Sequence, residues 1–153
     1  MRIISRAVIT FFLLGIGAAT AIAAPPWSSL GEAVAIQGYD SVAYFTKSDA
    51  VRGSAKFVHE WSGMAWFFSS AENRDAFAAA PEKYAPQFGG FCTPSIASGK
   101  NSRGGGDAWV IHNGKLYLSY DKAVLENFRR DIPSTVSKAE GWWSTVKSRI
   151  EKQ

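Results

Sequence analysis

Apolar and polar positions alternate over residues 56–68, and the alternation folds back on itself at Ser62-Gly63. A strand sends successive side chains to opposite faces, and a Ser-Gly pair suits a two-residue hairpin turn. The pattern predicts a β-hairpin over Lys56 to Phe68 in which Trp61 faces Met64, His59 faces Trp66 and Phe57 faces Phe68. One face then carries Phe57, His59, Trp61, Met64, Trp66 and Phe68, and the other Val58, Glu60, Ala65 and Phe67. The first face is apolar except for one histidine. A second alternating stretch, Ala108 to Tyr120, turns at Asn113-Gly114 and predicts a second hairpin.

Helical signals lie around these hairpins. Ser69-Ser70-Ala71-Glu72 fits a capping box, which opens a helix running to about Ala80. Pro81 starts the next helix, where its missing N–H costs nothing, and Pro86 ends it. Phe88-Gly89-Gly90-Phe91-Cys92-Thr93-Pro94 reads as a glycine turn into a short helix with Thr93 as its cap. Lys100 to Asp107, with Gly104-Gly105-Gly106, reads as a mobile loop. Asp121 to Arg130 is a helix with Val124, Leu125 and Phe128 on one side, and Pro133 to Ile150 is a last helix, weakened at Gly141 and carrying Trp142 and Trp143. Upstream, Ile36 to Phe45 carries a short extended segment around Tyr39-Asp40, and Lys47 to Ser54 is a polar loop. Antiparallel hairpins mixed with helices predict an α+β fold: one small domain with two hairpins packed against short helices.

The N-terminus changes this picture. Arg2 and Arg6 precede an apolar run from Val8 to Ile22, and Ala21-Ile22-Ala23 is a small-x-small cleavage signal. Residues 1–23 are therefore expected to be a secretory signal peptide, residues 24–35 a leader with Pro25-Pro26, and residues 36–153 the domain. The destination is periplasmic or secreted. The run is short for a membrane span of about 20 residues, and no cysteine follows the cleavage point, so no stable anchor is expected after cleavage. Losing two arginines lowers the net charge from +4 to +2. The remaining basic residues are dispersed and leave no nucleic-acid footprint. Cys92 is the only cysteine, so no internal disulfide forms, and the ten Phe, six Trp and five Tyr must supply the core.

Three stretches carry a resemblance: Tyr39-Asp40-Ser41-Val42-Ala43-Tyr44-Phe45, then Trp66-Phe67-Phe68-Ser69-Ser70-Ala71-Glu72-Asn73-Arg74-Asp75-Ala76-Phe77, then Pro81-Glu82-Lys83-Tyr84-Ala85-Pro86-Gln87-Phe88-Gly89-Gly90-Phe91-Cys92. Together the chain resembles exported, single-domain YHS proteins of bacteria, strongly over about Gln37 to Gly99. The resemblance implies a treble-clef-like core and a link to metal handling. Metal-bearing relatives carry one cysteine after an Asp-Pro-Val element, which Asp40-Ser41-Val42 matches here, and two more flanking the capped helix. Here those positions hold Ala43, Ser69 and Asn73. Soft-metal sites need thiolate or imidazole ligands, so the cysteine site does not carry over.

Few residues remain for chemistry. His59 on the apolar face is either a ligand with a lowered pKa or a core histidine bonded to backbone. Cys92, ahead of a helix start, is either an activated thiol or a small buried hydrophobe. As a pair they make a candidate metal site, for which copper is a chemically sensible ion. Tyr39, Asp40 and Tyr44 could line a polar pocket, although an aspartate before a turn commonly bonds its own backbone. Trp66 belongs to an aromatic cluster that serves as core or as the wall of a ligand cavity. His112, beside a hairpin turn, reads as a surface histidine. The expected function is an exported binding protein that holds a metal ion or small ligand without catalysis. The alternatives are a thiol-dependent enzyme using Cys92 with His59, or an interaction module without a site.

Overall fold

A computed structural model of the chain describes residues 34–152; the expected signal peptide and nearly all of the expected leader lie outside them. The architecture is mixed helix and strand. Strands β1 (Ser54–Trp61) and β2 (Met64–Phe68) form one two-stranded antiparallel sheet, and β3 (Gly105–His112) and β4 (Lys115–Ser119) form another. Among the described residues six α-helices accompany them: α1 (Ala43–Thr46), α2 (Ala71–Ala79), α3 (Pro81–Tyr84), α4 (Thr93–Ala97), α5 (Lys122–Arg129) and α6 (Ile132–Ile150).

Both hairpins close as the sequence predicts. Ser62 and Gly63 have φ of 52° and 76°, and Asn113 and Gly114 have 50° and 72°. Two consecutive left-handed residues are what a turn matching the strand twist requires. His59 pairs with Trp66 and Trp61 with Met64. The expected Phe57–Phe68 pair does not form, because the register slips between Ser54 and Val58 and puts Ser54 opposite Phe68. Such a bulge bends the ribbon without exchanging its faces at the turn end. Met64, Trp66 and Phe68 are buried, whereas Val58 and Glu60 on the opposite face are exposed.

Phe77 joins this hairpin to α2. It is the one buried residue of that helix, and its ring lies 4.8 Å from Trp66, 5.1 Å from Phe68 and 5.8 Å from Trp61. Around it stand Val42, Tyr44, Leu116 and Leu118, so both hairpins share one core. A second cluster, Phe91, Ile96, Ala139 and Val146, binds α4 to α6. A third, Ala108, Tyr117, Leu125 and Phe128, binds α5 to the second hairpin. Full burial of each large side chain stabilises by roughly 1.5–3 kcal/mol.

Three expectations need correction. The cap of α2 is Ser70, whose hydroxyl accepts from the Asn73 amide at 3.2 Å, rather than Ser69. Thr93 does not cap α4: Cys92 occupies that position with no side-chain bond, and Thr93 is the first helical residue. The glycine run is no mobile loop. Gly105 and Gly106 are in β3, and a Cβ on Gly106 would overlap the Tyr39 ring, while one on Gly104 would overlap the Gly90 carbonyl. Glycine is required here because other parts of the chain press on the backbone. The short extended segment at Tyr39 forms as expected: Tyr39 bridges Arg52, after a kinked 3-10 turn, Ala35–Gly38.

Candidate functional site

Asp40 is fully buried, and its carboxylate accepts five hydrogen bonds. Oδ1 takes the amides of Val42 at 3.0 Å and Ala43 at 3.2 Å, which is the local turn the sequence suggests. Oδ2 takes the Ser69 amide at 2.8 Å, the Ser69 hydroxyl at 2.6 Å and the Asn73 side-chain nitrogen at 2.7 Å. This explains the displaced cap, since the Ser69 hydroxyl is already engaged. Ala43, Ser69 and Asn73 therefore converge on one carboxylate. A thiolate metal site does not fit these residues: a methyl, a hydroxyl and an amide surround an acceptor whose lone pairs are all in use.

Tyr39 is equally committed. The Arg52 guanidinium lies 4.0 Å from its ring centre, and the same side chain donates to the Gln37 carbonyl at 2.6 Å. Gln37 in turn donates to Gly104 O at 3.0 Å and accepts from Gly106 N at 3.0 Å. Tyr44 donates to Gly106 O at 2.5 Å. Burial, reinforced by the nearby Tyr39 and Asp107, holds its phenol well above the ordinary range. Tyr39, Asp40 and Tyr44 thus fasten the first motif to β3 and α2.

His59 is half-buried, with its ring 6.0 Å from Phe77 in an edge contact. Cys92 is 1% exposed; its amide donates to Ser102 O at 2.9 Å, and it bridges Leu118. The two stand on separate elements with different neighbours, and no hydrogen bond between them is found among the described residues. No group of three or more His, Cys, Asp or Glu side chains among the described residues could hold a metal ion. Trp66 is buried, and its indole N–H donates to Trp61 O at 3.1 Å. His112 pairs with Lys115 beside the second turn, as expected.

The feature not foreseen from the sequence is an open cleft of about 250 Å³ between the tip of the first hairpin, the segment after α3 and the last helix. Trp61, Pro86, Phe88 and Trp143 supply its apolar walls, and Glu82 and Lys147 add opposite charges. The Phe88 and Trp143 rings are 5.7 Å apart at 71°. Phe88 is held at φ 51°, ψ 38°, in the left-handed region. For a non-glycine residue this costs roughly 1–2 kcal/mol, and such strain concentrates at ligand sites. A 3-10 turn kinked at Phe88 and Gly89 directs the ring, and Phe88 also meets Tyr117 at 6.1 Å. The only hints in the sequence were the Gly89-Gly90 pair and the tryptophans near the C-terminus. Among the other concavities, one of about 430 Å³ is lined by the single turn Glu60–Ala65, and another by Val34, Gln37, Gly38, Arg52, Gly53 and Phe67.

Comparison with family models, with curated proteins and with solved structures finds no match to this chain.

Proposed function

We propose that this chain is an exported YHS-type binding protein that holds a small organic ligand in the Phe88–Trp143 cleft and does no chemistry on it. The observation that carries the reading is the cleft itself: aromatic walls from three separate parts of the chain, with one carboxylate and one ammonium on its lining. Concave, mostly apolar surfaces with a few polar groups are the general form of ligand sites. Export rests on the basic start, the apolar run and Ala21-Ile22-Ala23; the family reading rests on the three motifs that end at Phe45, Phe77 and Cys92.

The reactive groups are already committed elsewhere, which supports binding without catalysis. Asp40 is saturated by backbone and side-chain donors. A nucleophilic thiol is commonly activated by a base within hydrogen-bond reach; Cys92 is 1% exposed, and no side-chain hydrogen bond to its sulfur is found among the described residues. The metal reading has less support than the cleft, because His59 sits beside Phe77 and Cys92 beside Leu118.

Nuclear magnetic resonance with a small-molecule fragment set tests the reading. Binding should shift the indole signals of Trp61 and Trp143 together and leave unmoved that of Trp109, which lies in β3 with its ring 5.0 Å from Tyr44 and does not line the cleft. Shifts confined to His59, or produced only by added copper, would count against it.

A further inference from the structure

We propose that the ligand is a small zwitterion: a quaternary ammonium seated against Phe88 and Trp143 beside Glu82, with its carboxylate on Lys147. This inference rests on the cleft being a ligand site and adds the ligand's chemistry.

Size comes first. Water occupies about 30 Å³ per molecule in the liquid, so a cleft of about 250 Å³ holds the equivalent of about eight waters. That suits a compact molecule and is short for a folded peptide segment.

Shape comes next. The 71° angle between Phe88 and Trp143 makes them two adjoining walls. A flat ring such as a sugar stacks on one open face, whereas a round cation is attracted to several faces at once through the ring quadrupoles. Quaternary ammonium groups are the ligands best matched to such corners, because their charge is spread over methyl groups that lose little hydration on burial.

Glu82 adds an anion to the aromatic lining, which favours a cation further. Lys147 would repel a simple cation but matches a ligand that carries a carboxylate. Its ion pair with Glu151 is long, at 3.9 Å, and an ammonium has three donors to place. The opposed charges on one small cleft therefore fit a molecule that carries both.

Isothermal titration of the purified chain with three probes provides the test. Trimethylglycine carries both charges. In 3,3-dimethylbutanoate, carbon replaces the nitrogen at the same size. Choline lacks the carboxylate. Trimethylglycine should bind, the carbon isostere should bind about tenfold more weakly or worse, and choline should be weakened as well. Glu82→Gln should weaken trimethylglycine severalfold and leave the isostere unaffected. Trp143→Ala should abolish binding, while Trp143→Phe, which keeps a ring and the packing, should retain part of it. Equal binding of the isostere and trimethylglycine, both lost in Trp143→Ala, would overturn the charge assignment and leave the cleft intact as a site. Failure of trimethylglycine to bind would overturn the inference; the fragment shifts at Trp61 and Trp143 would then decide separately whether the cleft binds anything.

Discussion

Asp40 and Asn73 stand 33 residues apart and share a hydrogen bond of 2.7 Å. The bond ties the first motif to the first turn of α2, with Ser69 on the same carboxylate oxygen. Replacing Asp40 with Ala should cost at least about 3 kcal/mol, since it strands several donors that now end on its carboxylate, at about 1–3 kcal/mol for each one left buried and unsatisfied. Asn73→Ala alone should cost less, because Ser69 remains. A double-mutant cycle by urea denaturation should find a coupling within roughly 0.5–3 kcal/mol. Additivity of the two changes would contradict the latch.

Cys92 is expected to act as a buried core thiol. Cys92→Ser should destabilise by about 1–3 kcal/mol, the cost of burying a hydroxyl without a partner. The native thiol should react slowly with an aromatic disulfide reagent and rapidly after denaturation. A fast native reaction, or a stability-neutral serine, would return Cys92 to the list of functional groups.

Gly106→Ala should be among the most damaging single changes. The added methyl would overlap the Tyr39 ring, which lies under Arg52 and cannot move without breaking that contact. A loss of about 1–3 kcal/mol or more is expected from overpacking. Thermal unfolding of Gly106→Ala, alone and with Tyr39→Ala, would show partial recovery in the double variant.

Stability should fall at alkaline pH through Tyr44. Burial raises its phenol pKa above the ordinary 10.0. Above pH 10 the unfolded chain releases a proton that the native chain retains, so the unfolded state binds fewer protons and stability declines. The slope from this one group is about 1.4 kcal/mol per pH unit, and none is expected below pH 9. Burial and the nearby Glu140 also raise Tyr117, which acts in the same direction. Denaturation curves between pH 8 and 11 should show the decline, and Tyr44→Phe should flatten it. An unchanged slope in that variant would remove Tyr44 as its source.

The hairpins were legible because their turns are chemical: Ser62-Gly63 and Asn113-Gly114 accept left-handed backbone and follow alternating strands. The helix starting at Pro81 was legible for the same local reason. What failed depended on distant residues. The cap of α2 lies one position later than the capping-box pattern places it because Asp40 holds Ser69, and the glycine run reads as a loop because Tyr39, Gly90 and Leu118, which make those glycines necessary, lie elsewhere in the sequence. His59 was assigned correctly to the inward face, but its neighbour is Phe77, which no register argument identifies. The cleft was least legible of all. Trp61, Glu82, Phe88 and Trp143 come from a hairpin, a short helix, a strained turn and the last helix, and no spacing rule links them.

Native mass spectrometry of protein purified from cells without refolding tests the central claim most directly. The wild-type chain should carry a non-covalent organic adduct of defined mass; Trp143→Ala should lose it, while Cys92→Ser and His59→Ala keep it. A metal adduct that survives Trp143→Ala and disappears in Cys92→Ser or His59→Ala would contradict the account.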